Sequence, residues 1–469
     1  MNIITRDNFP QGPEARIRLM GDIWAAREFE RHLLTLCDRI GVRFTGSRGE
    51  KTAAGYILDQ FRSYNLDKAH KEKFTCFTWK HGPAFLELKP DKQRLQITAI
   101  GFTPSTPRGG INAALAVVNS FRTLATLKNQ RALAGKIALV IPEEGGRDIS
   151  EHSSIIVRRA ARAGARAVII ATPVLKSDSA ANPPIPAAGI AREDALRLAR
   201  LARDSGRLEV RMFLKNNPKK QAVTCNVIGE IRGVKRPNEI ILVAAHYDTK
   251  DNTVGAADDA SGTAAVMELA RVFSKYYRGK LARTIRFVCF TGEELGLAGS
   301  NAYVKKHARE MRNIVMMFNL DPANSTNYWV GGFAETLRWL KETAKTAGWQ
   351  NRAQHYVAYN TDCFPFLLKG VPAVWMMSRE RRGWLFDPAQ LTYGHTRRDT
   401  PDKVDIFDAK EAIMVVADTC LRLDAARHRP DHHHSAREVR QWLSRDPILE
   451  ERLKTGGLWP AAQTPAVLL

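Results

Sequence analysis

Apolar residues recur at helical spacing near the start of the chain. Ile17, Met20, Ile23 and Trp24, then Phe29, Leu33 and Leu36, predict one or two packing helices over residues 16–40. A Gly/Ser turn at 45–49 precedes a second amphipathic helix with Ala53, Ile57, Phe61 and Tyr64 on its apolar face. Alternation takes over at 74–79 and 84–88, as half-buried strands require. Three later apolar runs, 239–245, 284–290 and 314–320, are too short and too rich in β-branched and aromatic residues to prefer helix. Between the first two lies a helical face of Val266, Leu269, Ala270 and Phe273. Fully apolar strands alternating with helices predict an α/β fold with a mixed, mostly parallel sheet between helices.

Residues 103–222 differ in character. Breaker-rich sequence brackets them, at 103–110 and at 216–220, and inside lie a strand pattern at 136–141, a helix at 153–163 closed by Gly164, and a strand at 167–171. The expected organisation is therefore 1–102 as the first part of the main domain, 103–222 as an α/β insertion, and 223–425 as the remainder of the main domain. A C-terminal helix and tail would occupy 426–469.

A length of 469 residues exceeds the ~100–200 of one domain, in keeping with that division. The formal charge of +22 would attract anionic partners at long range, yet the arginines are dispersed and not interleaved with aromatics, so no specific nucleic-acid partner is expected. The six cysteines lie far apart with no C-x-x-C pair, which argues against a disulfide framework. Pro10, Pro13 and several charges break the first thirty residues, and no apolar run approaches the ~18 residues of a membrane span. The expectation is a cytoplasmic protein without a membrane span, or a secreted one if the true start lies upstream.

Candidate chemistry sits where the strand runs end. His246 and Asp248 follow the first, Glu293 and Glu294 the second, and Asp321 the third. In an α/β sheet, sites form beyond the carboxyl ends of strands, so these side chains would converge on one rim. Asp258 stands in a small-residue loop leading into a helix, and His395 in a later loop. Two imidazoles with several carboxylates suit Zn²⁺, and a carboxylate bridging two ions is the arrangement of two-metal aminopeptidases. Asp248 is placed to accept from the second ring nitrogen of His246. Of Glu293 and Glu294, one can bind metal while the other acts as a base. His432, His433 and His434 lie in a polar tail and read as solvated sequence without carboxylate partners, with adventitious metal binding as the lesser alternative.

These residues carry a resemblance. Val243-Ala244-Ala245-His246-Tyr247-Asp248, the 255–262 loop, Thr291-Gly292-Glu293-Glu294-Leu295-Gly296, Asn319-Leu320-Asp321 and His395-Thr396-Arg397-Arg398-Asp399 together resemble the co-catalytic di-zinc aminopeptidase/carboxypeptidase family. The stretch from Asp38 to Ser47 is similar to the opening of its carboxypeptidase Q-like branch, and the pieces at 135–140, 163–170 and 185–190 resemble the protease-associated domain. The resemblance implies one zinc on His246, Asp258 and Asp321, and a second on Asp258, Glu294 and His395, with cobalt or manganese as substitutes. It implies Glu293 as general base and Asp248 as its catalytic companion behind His246. Substrate contacts would fall on Asp362 and Tyr393. At both places the chain departs from the family pattern, with Cys363 where many members have histidine and Gly394 between Tyr393 and His395.

The function so implied is a zinc-dependent exopeptidase, an aminopeptidase or dipeptidase, hydrolysing short unblocked peptides with a metal-activated water. A glutaminyl cyclase-like aminoacyltransferase on the same scaffold and a non-catalytic binding module are the alternatives. The expected partner is a short peptide substrate, and a homodimer is compatible with the sequence.

Overall fold

A computed structural model describes residues 12–127, 132–142, 153–172, 175, 183–216, 220–323, 328–349, 352–355, 357, 359–377 and 393–456. In chain order the strands run β1 (Lys68–Thr78), β2 (Ala84–Leu88), β3 (Arg94–Ala99), β4 (Ile111–Val118), β5 (Ile137–Val140), β6 (Ala167–Thr172), β7 (Ala187–Ala191), β8 (Glu209–Leu214), β9 (Lys220–Ile231), β10 (Arg236–His246), β11 (Arg283–Phe290), β12 (Ile314–Asn319), β13 (Tyr328–Gly331), β14 (Arg352–His355) and β15 (Ala373–Met377). The chain divides into two compact units, one of residues 1–76, 222–382 and 399–442, the other of 77–221, 383–398 and 443–469.

The first unit is built on an eight-stranded sheet in the order β1-β9-β11-β10-β12-β15-β13-β14. Its centre is parallel: β10 lies between β11 and β12, and β12 pairs with β15 in the same sense. Antiparallel pairing enters with β9 against β11 and β13 against β15, so the sheet is mixed. Residues 240–246 are buried without a break, as are all of β11 and β12, the pattern of strands covered on both faces. The helices Ser261–Tyr277 and Ile406–Ala425 supply much of the apolar cover, through residues such as Val266, Leu269, Phe273, Ile413 and Val416.

Register decides where the chemistry goes. Ala245 is level with Cys289 and His246 with Phe290, while Ala244 is level with Asn319. The three central strands therefore end together, and the loops that leave them start from one rim. Gly262 lets the next helix approach that rim: an added methyl would sit 1.7 Å from the carbonyl oxygen of Leu320, the residue before Asp321.

The second unit contains a closed barrel in the order β2-β3-β7-β6-β5-β4-β8. Its parallel half is β4-β5-β6-β7, and β2, β3 and β8 complete it in antiparallel pairing. Leu86, Ile97, Ile137, Ile169 and Met212 belong to one core, shared with Ala195 and Leu198 of the helix Arg192–Asp204. Ala138, Val140, Val168 and Ile170 face a separate cluster that takes in Ile156, Val157 and Ala160 of the helix Ser153–Arg162.

The unit begins at Phe77 rather than at residue 103, because β2 and β3 pair with β8 and β7 to close the barrel. Of the second hinge expected from sequence, Asn217, Pro218 and Lys219 lie outside the described residues. The C-terminal segment holds two helices, Ala436–Leu443 and Pro447–Gly456, where one was expected, and residues 457–469 lie outside the described residues. Among the described residues no helix is long and apolar enough to cross a membrane.

Candidate metal centre

His246, the last residue of β10, is 1% exposed and stands among carboxylates. Its Nε2 lies 3.2 Å from Asp258, 3.6 Å from Asp321 and 4.0 Å from Glu293, measured to carboxylate oxygens. The same nitrogen is buried without a hydrogen bond among the described residues. An imidazole nitrogen with no hydrogen bond, facing acidic oxygens at these distances, is the arrangement a cation would satisfy. The donor set fits a borderline metal such as zinc.

The other ring nitrogen is oriented from behind. Nδ1 lies 3.2 Å from the backbone oxygen of Asp248 and 3.5 Å from its carboxylate. The carbonyl is the closer partner, and the carboxylate stands beside the same ring nitrogen. The Asp248 carboxylate also accepts the backbone N–H groups of Glu293 and Glu294, both at 3.3 Å, and the Thr45 hydroxyl at 2.9 Å. It thereby joins the loops after β10 and β11 and sets where the two glutamates begin.

Asp258 lies in a distorted turn, Ala256–Ala260, whose residues 258 and 259 leave helical dihedrals. Two contacts shape that turn. Gly255 takes φ +51°, and the Asp399 carboxylate accepts from the backbone N–H of Ala257 at 2.8 Å and of Asp258 at 3.1 Å. Asp259, which sequence reasoning does not single out, groups with His246 and Asp321 within ligand distance of one another. Its two oxygens also accept from the N–H groups of Gly262 at 2.8 Å and His246 at 3.3 Å. Asp259 thus braces the turn beside Asp258, and each of its hydrogen-bonded oxygens keeps a lone pair for a cation.

Glu294 is buried and faces Lys250, whose Nζ lies 2.8 Å from its Oε2 and donates to its backbone oxygen at 2.7 Å. Sequence reasoning also missed this lysine, since nothing in its spacing marks it. Glu293 has more access to solvent, its side chain being 12% exposed. Asp362 is buried and accepts from the Ser300 hydroxyl. Tyr393 and His395 fall in the 383–398 stretch that clusters with the second unit; there the Tyr393 carbonyl accepts from Thr396 Oγ1 at 2.6 Å, and His395 takes φ +58°.

Crowding of like charge shows in the titration behaviour. Burial would pull His246 down, but the nearby negative charge of the Asp248, Asp258 and Asp321 carboxylates holds it well above the usual range. Burial pushes Glu293 well up, and neighbouring Glu294, Asp321 and Asp362 add to this against the opposing pull of His246. Burial likewise raises Asp259, Asp321 and Asp362.

A further layer is fixed by Arg43, which is fully buried. Its guanidinium donates to the carbonyls of Tyr247 at 2.7 Å, Val254 at 2.9 Å and Gly255 at 3.2 Å, and to those of Leu36 and Gly41. The Asp38–Ser47 stretch, recognised from sequence only as a motif, is thus the strap that holds the loop after β10.

Residues 226–420 match Peptidase family M28, and residues 107–198 match the PA domain. Carboxypeptidase Q of Xenopus laevis is 31% identical over 313 residues, an alignment that takes in 63% of this chain and 65% of that protein. The chain spans just under two thirds of the length of the carboxypeptidase Q relatives it matches. The Peptidase M28 precursor from Shewanella amazonensis SB2B superposes with a TM-score of 0.76 at 23% identity, covering 90% of this chain and 98% of that one. For a zinc aminopeptidase from Bacillus subtilis the TM-score is 0.64 at 23% identity, with 88% and 98% covered. The chain is homologous to carboxypeptidase Q and shares the fold of these two structures.

Proposed function

We propose that this chain, an M28 peptidase region with an inserted PA domain, is a zinc-dependent exopeptidase acting on short peptides with an unblocked end. The observation that carries the reading is the common rim of β10, β11 and β12, where the buried His246 Nε2 lies within 3.2–4.0 Å of Asp258, Asp321 and Glu293. The homology to carboxypeptidase Q supports it, as does the likeness to a zinc aminopeptidase.

Under this reading His246, Asp258 and Asp321 would hold one zinc. The family motif alone assigns Asp258, Glu294 and His395, which would hold the other. When bound, zinc polarises a peptide carbonyl and lowers the pKa of water. Glu293, the more accessible of the two glutamates, takes a proton from the attacking water and returns it to the leaving amine as the C–N bond breaks. Asp248 does not touch substrate; it keeps His246 turned toward the rim and fixes the backbone from which Glu293 and Glu294 project. Asp362 offers a buried carboxylate to a substrate amine.

The test is a cleavage assay with three peptides: an unblocked dipeptide, the same sequence blocked at both ends, and a Gln-initial peptide. Hydrolysis of the unblocked dipeptide and of the Gln-initial peptide, with the doubly blocked one left intact, supports the proposal. Internal cleavage of the blocked peptide, or cyclisation of the Gln-initial one without hydrolysis, would replace it.

A further inference from the structure

The histidine run that reads as solvated tail is not partnerless. It comes after the helix Ile406–Ala425, and carboxylates stand on two sides of it. Asp431 and His434 are buried, at 5% and 8% exposure. Asp431 Oδ2 accepts from the Thr336 hydroxyl at 2.6 Å, which leaves Oδ1 toward the imidazoles: His434 Nε2 at 3.1 Å and His432 Nδ1 at 3.4 Å. Oδ1 also accepts the backbone N–H of His432 at 2.8 Å. The far nitrogen of His432 lies 3.1 Å from Glu438, whose other oxygen accepts from the Ser435 N–H at 2.7 Å.

We propose that Asp431, His432 and His434 bind one divalent ion of the zinc class, at a site separate from the metal centre at the sheet rim. Three features carry this. The donors, two imidazoles and one carboxylate, are those zinc takes, and their ligand atoms lie within 4.8 Å of one another. Zinc bonds of ~2.0–2.2 Å set tetrahedral edges of about 3.4 Å, and two of the edges here are 3.1 and 3.4 Å. Finally, the outer nitrogen of His432 meets a carboxylate and the outer oxygen of Asp431 meets a hydroxyl, the supports that fix ring orientation and ligand basicity at metal sites.

The surroundings hold the ligands in place before any ion arrives. The His434 ring stacks on Phe333 with centroids 3.7 Å apart, and the backbone N–H of His434 donates to the Gly370 carbonyl at 2.8 Å. A methyl on Gly370 would collide with the His434 carbonyl oxygen at 1.8 Å, so the close approach depends on glycine there. Three protein ligands leave a fourth position to water. An ion here would fasten the segment after Ile406–Ala425 to the start of the helix Ala334–Ala347 through Asp431 and Thr336.

The same side chains joined by hydrogen bonds alone would hold no ion, and counting ions separates the two cases. Wild-type enzyme and the variants His432→Asn and His434→Gln are dialysed against the same Zn²⁺ solution, washed, and analysed for zinc per chain, with cleavage of an unblocked dipeptide measured on the same samples. Each variant is expected to hold one ion fewer than wild type while cleavage is unchanged. The His432 side chain is 59% exposed, so His432→Asn keeps the test alive if His434→Gln misfolds. Equal zinc content in wild type and His432→Asn would overturn the proposal, as would loss of the ion together with loss of cleavage, which would assign it to the rim centre.

Discussion

Thr45 donates its hydroxyl to the Asp248 carboxylate at 2.9 Å across 203 residues of sequence, with both groups buried. The contact ties the N-terminal strap to the carboxylate that positions both glutamates of the metal centre. Thr45→Val removes the donor at nearly constant volume and leaves one Asp248 oxygen less well satisfied. Outer-shell changes of this kind typically cost ~10–100-fold in metal affinity or activity, and a fall of that order in kcat/KM is expected, with the fold retained by circular dichroism. An unchanged kcat/KM would show that Thr45 plays no part in supporting the site.

Glu293 and Glu294 are neighbours with separate assignments, and amide substitution distinguishes them. Glu293→Gln keeps shape but abolishes basicity, so turnover should fall by ~10²–10⁴-fold with metal content intact. Glu294→Gln should lose metal as well as rate. Near-normal turnover in Glu293→Gln would transfer the proton-handling role to Glu294.

Gly262→Ala tests how the helix Ser261–Tyr277 meets the rim. The added methyl would stand 1.7 Å from the Leu320 carbonyl and 2.5 Å from both Asp259 oxygens, so the helix must move back. Overpacking costs typically ~1–3 kcal/mol and occasionally more, and this backbone clash belongs at the upper end. A urea midpoint equal to wild type would show that the contact is looser than described.

His32 supplies a pH dependence away from the metal ligands. It is fully buried between the hydroxyls of Tyr56, 2.7 Å from Nδ1, and Tyr64, 2.6 Å from Nε2, with Glu28 at 4.0 Å. Burial, then the charges of Arg31 and Arg271, push its pKa from 6.5 down to about 3. The unfolded chain therefore binds a proton that the folded one refuses. This contribution is complete above pH ~6.5 and is lost as pH falls toward 3, at up to about 1.4 kcal/mol per pH unit. Urea midpoints measured from pH 7 to pH 4 should drop more steeply for wild type than for His32→Gln. Parallel curves would contradict the assignment.

The three central strands are legible in the sequence because burial on both faces removes polar alternation, leaving short β-branched runs that end abruptly in acids and histidine. Spacing alone places His246, Glu293, Glu294 and Asp321 behind them, and the level register of β10, β11 and β12 supplies the physical link. The features that sequence could not show depend on contacts between distant segments. Arg43 reaches Tyr247 across 204 residues, and no local period announces such a donor. The barrel extends beyond the expected insertion for the same reason: Ala84 of β2, which lies before residue 103, pairs with Leu214 of β8. The His432–His434 run reads as bare in sequence because Thr336 and the side chain of Glu438 meet it only once the chain has turned back.

Metal held at the rim by His246 and its carboxylates is what drives peptide hydrolysis under the proposed function. The decisive measurement follows cleavage of an unblocked dipeptide while zinc is stripped with a chelator, the chelator is dialysed away, and Zn²⁺ is added back. Cleavage should disappear with the metal and return on addition of Zn²⁺ in wild type but not in His246→Ala. Cleavage that persists in metal-free protein, or returns equally in His246→Ala, would contradict the proposed role of the rim metal.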